Sequence, residues 1–194
     1  MATTREQWLD EGLSVLANEG APALRIDRLA ARLGVTKGSF HHHFDGAGGY
    51  KQALLAYYEQ RTTAAIDEGI AARGDGGTRA TLQWLSELAL ATGPSIRPTE
   101  LDAAVRAWAR TDDDARATQA RIDARVIEAL QAVWRPATSS DAAARTAALV
   151  PYLVSVGAAA TVPPIGADEL RGVYELLLEI APLADAPGGD DARG

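Results

Sequence analysis

"IDRLAARLGVTKGSFHHHF", Ile26 to Phe44, contains all three histidines of the chain, consecutive at positions 41–43. Ile26, Leu29, Ala30 and Leu33 are apolar at helical spacing and predict a short helix over about 27–33. Gly34 ends it, as a residue that takes positive φ readily does. Thr36 then caps a second short helix over about 37–43. The Gly46–Gly49 stretch breaks that helix. Two short helices joined by a tight glycine-containing turn are the helix-turn-helix arrangement, in which the second helix can enter a major groove N-terminus first. Free amides and a partial positive charge at that end suit phosphate. Gly34, Gly38 and Ser39 are small enough to let another backbone approach, and Lys37 is the only lysine or arginine of the second helix.

The histidines admit other readings. Successive helical side chains point about 100° apart, so three in a row need further ligands to hold a metal. A plain surface helix end is the bland alternative. Contact of His41 and His42 with DNA is a third reading, since a neutral imidazole still donates one hydrogen bond.

Composition narrows the field. The chain has 194 residues, enough for one large domain or a small one joined to a medium one. With no cysteine, disulfides, thiolate catalysis and cysteine-ligated zinc are excluded. The polar N-terminal stretch "MATTREQWLDEG" lacks the apolar core of an export signal, so a cytoplasmic protein is expected. Net charge is −7, and residues 1–50 hold five basic side chains (Arg5, Arg25, Arg28, Arg32, Lys37) against six acidic ones (Glu6, Asp10, Glu11, Glu19, Asp27, Asp45). That argues against non-specific affinity for nucleic acid, but not against a small local reading surface. No histidine lies outside the motif, and no glycine-rich phosphate loop sits between strand and helix. No catalytic residue, metal or cofactor is expected, and the chain reads as a non-enzyme.

The rest is helical throughout, rich in alanine, leucine, arginine and glutamate. Thr3 and Glu6 fit a capping box for a first helix carrying Leu9, Leu13 and Leu16. Further helices are predicted over 48–72, 78–92, 99–110, 113–134, 140–162 and 167–181, with a frayed tail from Pro182. "DDDA" at 112–115 reads as a helix cap and solvated face. Residues 146–167 carry no charge. Pro163, Pro164 and many alanines argue for a buried helix there rather than a membrane span.

With these residues in view, "IDRLAARLGVTKGSFHHHF" resembles the DNA-binding domain of TetR-family transcriptional regulators, over about residues 4–60. The family's usual string has an Ile/Leu-Ala pair, then Gly-Val-Ser/Thr-Lys-Gly-Ser/Thr-Leu/Phe-Tyr-x-His/Tyr-Phe. "AVRAWARTDDDARATQARIDAR", 104–125, also looks like a segment of one regulator subgroup. The resemblance implies an all-α protein of about nine helices. A helix-turn-helix domain would span 1–46, a connecting helix 47–72, and an effector-binding and dimerisation domain 73–194. It also implies roles. Thr36 would cap the recognition helix and touch phosphate, Lys37 would reach a base edge or phosphate, and Gly38 would clear the approach. Ser39 would donate to phosphate, and His41 and His42 would face the DNA backbone. His43 and Phe44 would pack inward. The chain departs from the family pattern in three places. Arg25 replaces a capping Ser/Thr and offers a phosphate contact. Ala47 stands where Lys or Arg is common, with Lys51 one turn on as a partial substitute. His41 stands in for a longer tyrosine.

The expected partners are a pseudo-palindromic DNA operator, a small apolar or aromatic effector and a second copy of the chain. Trp84, Trp108, Trp134 and Tyr152 are candidates to line an effector pocket, each with a core-aromatic alternative. Val150, Val154, Gly157, Ala158, Leu170, Tyr174 and Leu177 are candidates for a four-helix dimer seam. The rival reading is a helical small-molecule-binding module that does not touch DNA.

Overall fold

The computed structural model describes residues 3–71, 78–80, 83, 87 and 98–180. Among them are eight helices and no strand: α1 (Arg5–Glu19), α2 (Ile26–Leu33), α3 (Lys37–His41), α4 (Gly46–Ala71), α5 (Pro98–Ala109), α6 (Asp113–Trp134), α7 (Asp141–Ala160) and α8 (Ala167–Ile180). The protein is all-α, as expected. The helix predicted over 78–92 falls mostly outside the described residues, of which 78–80 are helical.

Helix α1 uses a different capping box from the one expected. Thr4 Oγ1 accepts from the Gln7 amide at 3.2 Å, and Gln7 Oε1 accepts from the Thr4 amide at 2.8 Å. Thr3 stays outside the helix, its carbonyl bonded to His43 Nε2 at 2.8 Å. Helix α2 ends at Gly34 in the left-handed region, φ 68°. Helix α4 begins at Gly46, earlier than expected, so Gly48 and Gly49 lie inside it rather than in a break. Each glycine costs about 1 kcal/mol relative to alanine in a helix interior. Burial of Tyr50, Leu54, Leu55 and Tyr58 on α4 offsets that, because packing outweighs propensity.

The described residues fall into two compact units. The first takes α1, α2, α3, α4 as far as Ala64, α5 and α6 as far as Ala124. Its aromatic centre is Trp8, Phe40, Phe44 and Tyr50, with Phe40 edge-on to Trp8 at 5.3 Å and Phe44 edge-on to Tyr50 at 4.9 Å. Leu9, Leu13, Leu16, Leu29 and Leu54 fill in around it. Helix α5 packs along α1. Asp112 caps α6, its Oδ1 accepting from the Ala115 amide at 3.0 Å, as the "DDDA" reading expects.

The second unit holds the end of α4, the rest of α6, and α7 and α8. Leu130, Val133, Trp134, Ala144 and Ala148 form one cluster, with Val126, Tyr152 and Leu178 against it. Ala158, Leu170 and Tyr174 form another, with Val154, Ile165 and Leu177 against it. Part of the expected dimer seam lies in this second cluster. Ala158, Leu170 and Tyr174 are consumed inside the chain, between α7 and α8, and Val154 and Leu177 pack on them. Val150, 44 % exposed, and Gly157, which has open space around it, remain outside. The expectation of a buried apolar helix is corrected. Helix α7 is long and apolar enough to cross a membrane by length and composition, but only 17 % of that window is buried.

Candidate nucleic-acid interface

Helix α3 has five residues, too few to be stable alone. Phe40 holds it in place, fully buried against Trp8, Phe44 and Tyr50. The Phe44 ring also carries the Arg5 guanidinium over its face at 5.3 Å. Burying that one face leaves Thr36, Lys37, Gly38, His41 and His42 exposed, with Ser39 half-buried. His43 and Phe44 turn inward, as the resemblance implied. The three imidazoles therefore do not converge. No group of three His, Asp or Glu side chains among the described residues could hold a metal ion.

Thr36 occupies the cap position of α3, yet its hydroxyl bonds no amide of that helix, contrary to expectation. The helix is so short that the Thr36 backbone carbonyl closes the turn, accepting from the Ser39 amide at 3.1 Å. A Cβ on Gly38 would meet only Thr36 Oγ1, at 3.6 Å, so the protein's own packing does not require glycine there. Arg25 caps α2 by position only and bonds no helix amide with its side chain.

Most cations around this face are already paired. Arg25 binds Asp27 through Nη2 at 3.1 Å and Nε at 3.2 Å. That pairing holds the Asp27 carboxyl below its usual range. Arg28 binds Glu19, and Arg32 binds Glu11 and Glu19. Lys37 is outside any ion pair found among the described residues. Lys51 binds Asp112 at 2.9 Å and Asp114 at 2.6 Å. Ala47 is exposed and brings no polar group.

Three of the four expected pocket residues are among the described ones. Trp84 lies outside the described residues. Trp108 is half-buried in the first unit. Trp134 belongs to the second unit's cluster against which Tyr152 packs, and its Nε1 is buried without an acceptor among the described residues.

Sequence reasoning passed over two further features. Gly12 lets Tyr50 come close enough to donate its hydroxyl hydrogen to the Trp8 carbonyl at 2.8 Å. Arg106 binds Asp102 at 2.7 Å and both oxygens of Asp123 at 2.8 and 3.0 Å. Gln119 donates to Asp123 at 2.7 Å, while its own Oε1 is buried without a partner among the described residues. The i,i+4 spacings 102/106 and 119/123 are the available sequence signal for that network.

Residues 9–57 match the family model described as bacterial regulatory proteins, tetR family. Over 53 residues the chain is 38 % identical to the uncharacterized HTH-type transcriptional regulator TtgW of Pseudomonas putida. That match covers 27 % of this chain and 40 % of TtgW, so the likeness spans well under half of either protein. Two solved structures share the fold over nearly their whole length. A putative TetR-family transcriptional regulator from Rhodococcus sp. superposes with a TM-score of 0.74 at 20 % identity, over 92 % of this chain and 98 % of that one. A TetR transcriptional regulator from Legionella pneumophila does so with a TM-score of 0.77 at 14 % identity, over 92 % and 97 %. Residues 9–57 thus match the N-terminal domain of the tetR family of bacterial regulatory proteins, and the chain shares the fold of solved TetR-type regulators.

Proposed function

We propose that this protein regulates transcription in the cytoplasm, reading a pseudo-palindromic operator as a homodimer and releasing it when a small apolar or aromatic effector binds. One observation carries the DNA reading: α3 is pinned by Phe40 and turns Thr36, Lys37, Gly38, His41 and His42 outward together. In this reading Lys37 reaches a base edge or phosphate and Gly38 clears the approach. Thr36, Ser39, His41 and His42 bond phosphates, and Arg25 adds one more contact if phosphate displaces Asp27. The division at 46 and 72 into reader, connecting helix and effector domain belongs to the same proposal.

Support for the dimer comes from the face that α7 and α8 leave uncovered. Val150 and Leu153 on α7, and Val173, Leu176 and Ile180 on α8, are 36–67 % exposed. A patch that meets its own copy across a two-fold axis would cover them. It would also set two reading heads about 34 Å apart, one turn of DNA. Support for the effector is Trp134, in the cluster that Tyr152 packs against, with an indole N–H that has no acceptor among the described residues. Such a donor suits a largely apolar molecule with one acceptor atom.

The test is selection of duplexes from a random-sequence pool by the purified protein, followed by gel shift. Enrichment of two half-sites about one helical turn apart is expected. Failure to enrich any sequence, in a folded protein that still binds small aromatic ligands, would replace this reading with a ligand-binding module that does not touch DNA.

A further inference from the structure

Lys51 lies on α4, directly after the recognition segment, at the place where the sequence suggests a substitute phosphate contact. Its ammonium is instead held by two carboxylates, Asp112 at 2.9 Å and Asp114 at 2.6 Å. Asp112 is doubly committed, because its other oxygen caps α6 through the Ala115 amide. That amide and Lys51 hold the Asp112 carboxyl below its ordinary range, while Asp114 and Asp112 hold the Lys51 ammonium above its own. Two turns along α4, Glu59 takes a two-pronged bond from Arg121 of α6, at 2.8 and 2.5 Å. Helices α4 and α6 are thus tied by ion pairs at successive levels, the first joining the second turn of α4 to the start of α6.

We infer that Lys51 is an internal counterion rather than a DNA contact, and that its bond to Asp112 and Asp114 is an electrostatic catch. The catch fixes the start of α4, and the recognition helix attached to it, on the N-terminal end of α6. Its effect on DNA affinity rests on the reading of the protein as a DNA binder. The catch itself does not, and the experiment separates the two.

Three variants are needed. Lys51→Gln removes the cation. Asp112→Asn with Asp114→Asn removes the carboxylates and leaves the lysine, and asparagine at 112 still caps α6. Lys51→Glu with Asp112→Asn and Asp114→Lys reverses the polarity. Hydrogen exchange without DNA reads the catch directly. Amides of 37–50 should exchange about three- to fivefold faster in the first two variants and return toward wild type in the third. Affinity for a labelled duplex selected by the wild-type protein should follow the same order, with the salt slope unchanged. Unchanged exchange in both broken variants would overturn the catch. So would tighter DNA binding by the Asn/Asn variant together with a salt slope about one unit lower in Lys51→Gln, since those mark a phosphate contact. A wild type that selects no duplex would sink the DNA reading, and the exchange data would still decide the catch.

Discussion

At Gly12 there is room for a hydrogen and nothing larger. A Cβ there would overlap the Tyr50 hydroxyl and lie 3.0 Å from Leu54 Cδ1. Gly12→Ala should therefore destabilise the protein by about 1–3 kcal/mol, despite alanine's better helix propensity. Adding Tyr50→Phe should recover part of the loss in urea melts, because it removes the atom that is struck. A rise in stability for the single variant would mean that α4 simply moves aside. Lys37 makes a different kind of prediction. Its replacement by alanine should weaken operator binding and lower the salt slope by about one without changing the melt. Equal affinity at matched salt would take it out of the interface. The exposed pair His41 and His42 offers ring N–H donors beside Lys37, so replacing both with alanine should weaken operator binding without changing the melt. The catch should hold its strength across the neutral pH range. Asp112 is held below 3.8, so its stabilisation is present above that value and is lost as pH falls through its folded value. Lys51 is held above 10.5, so its stabilisation is present below that value and is lost only as pH rises through its folded value.

Helices α7 and α8 show what periodicity reveals and what it leaves open. Their existence and approximate bounds are legible in the sequence, because Asp141–Ala160 and Ala167–Ile180 are apolar at helical spacing and separated by Pro163 and Pro164. Which apolar stripe faces inward is not legible. A helix that is apolar nearly all round has two candidate stripes, and the choice depends on a neighbour's shape. The structure puts Ala148 and Ala158 inward and Val150 and Leu153 outward. Leu153→Glu with Leu176→Glu should therefore yield monomers by light scattering and lose operator binding, with the fold retained. A carboxylate at Ala158, which lies in the chain's own core, should unfold it instead. Dimers that survive the first pair of changes would place the interface elsewhere. The capping box of α1 repeats the lesson. Thr3/Glu6 and Thr4/Gln7 both have the right spacing, and the distant His43 bond to Thr3 accompanies the second register.

For the molecule as a whole, the segment 26–44 is the most legible part, since small, polar and aromatic residues there answer to local geometry. The electrostatics are not legible. Arg28 meets Glu19 nine positions away and Arg32 meets Glu11 twenty-one positions away, separations that no local pattern encodes. The sequence shows these arginines only as part of the segment's charge count, and in the fold they are neutralised. The grouping of α5 and the start of α6 with the reading head likewise depends on contacts far apart in the chain.

The pairing of those arginines has a consequence for how the protein would find its site. A regulator spends most of its search on the wrong DNA, held there by charge alone. A head whose Arg25, Arg28 and Arg32 answer to its own carboxylates, on a chain of net charge −7, has little to hold on with. Its encounters with bulk chromosome should be brief hops rather than long slides. A larger share of its copies would then be free in solution at any moment, ready to meet an effector before they meet an operator.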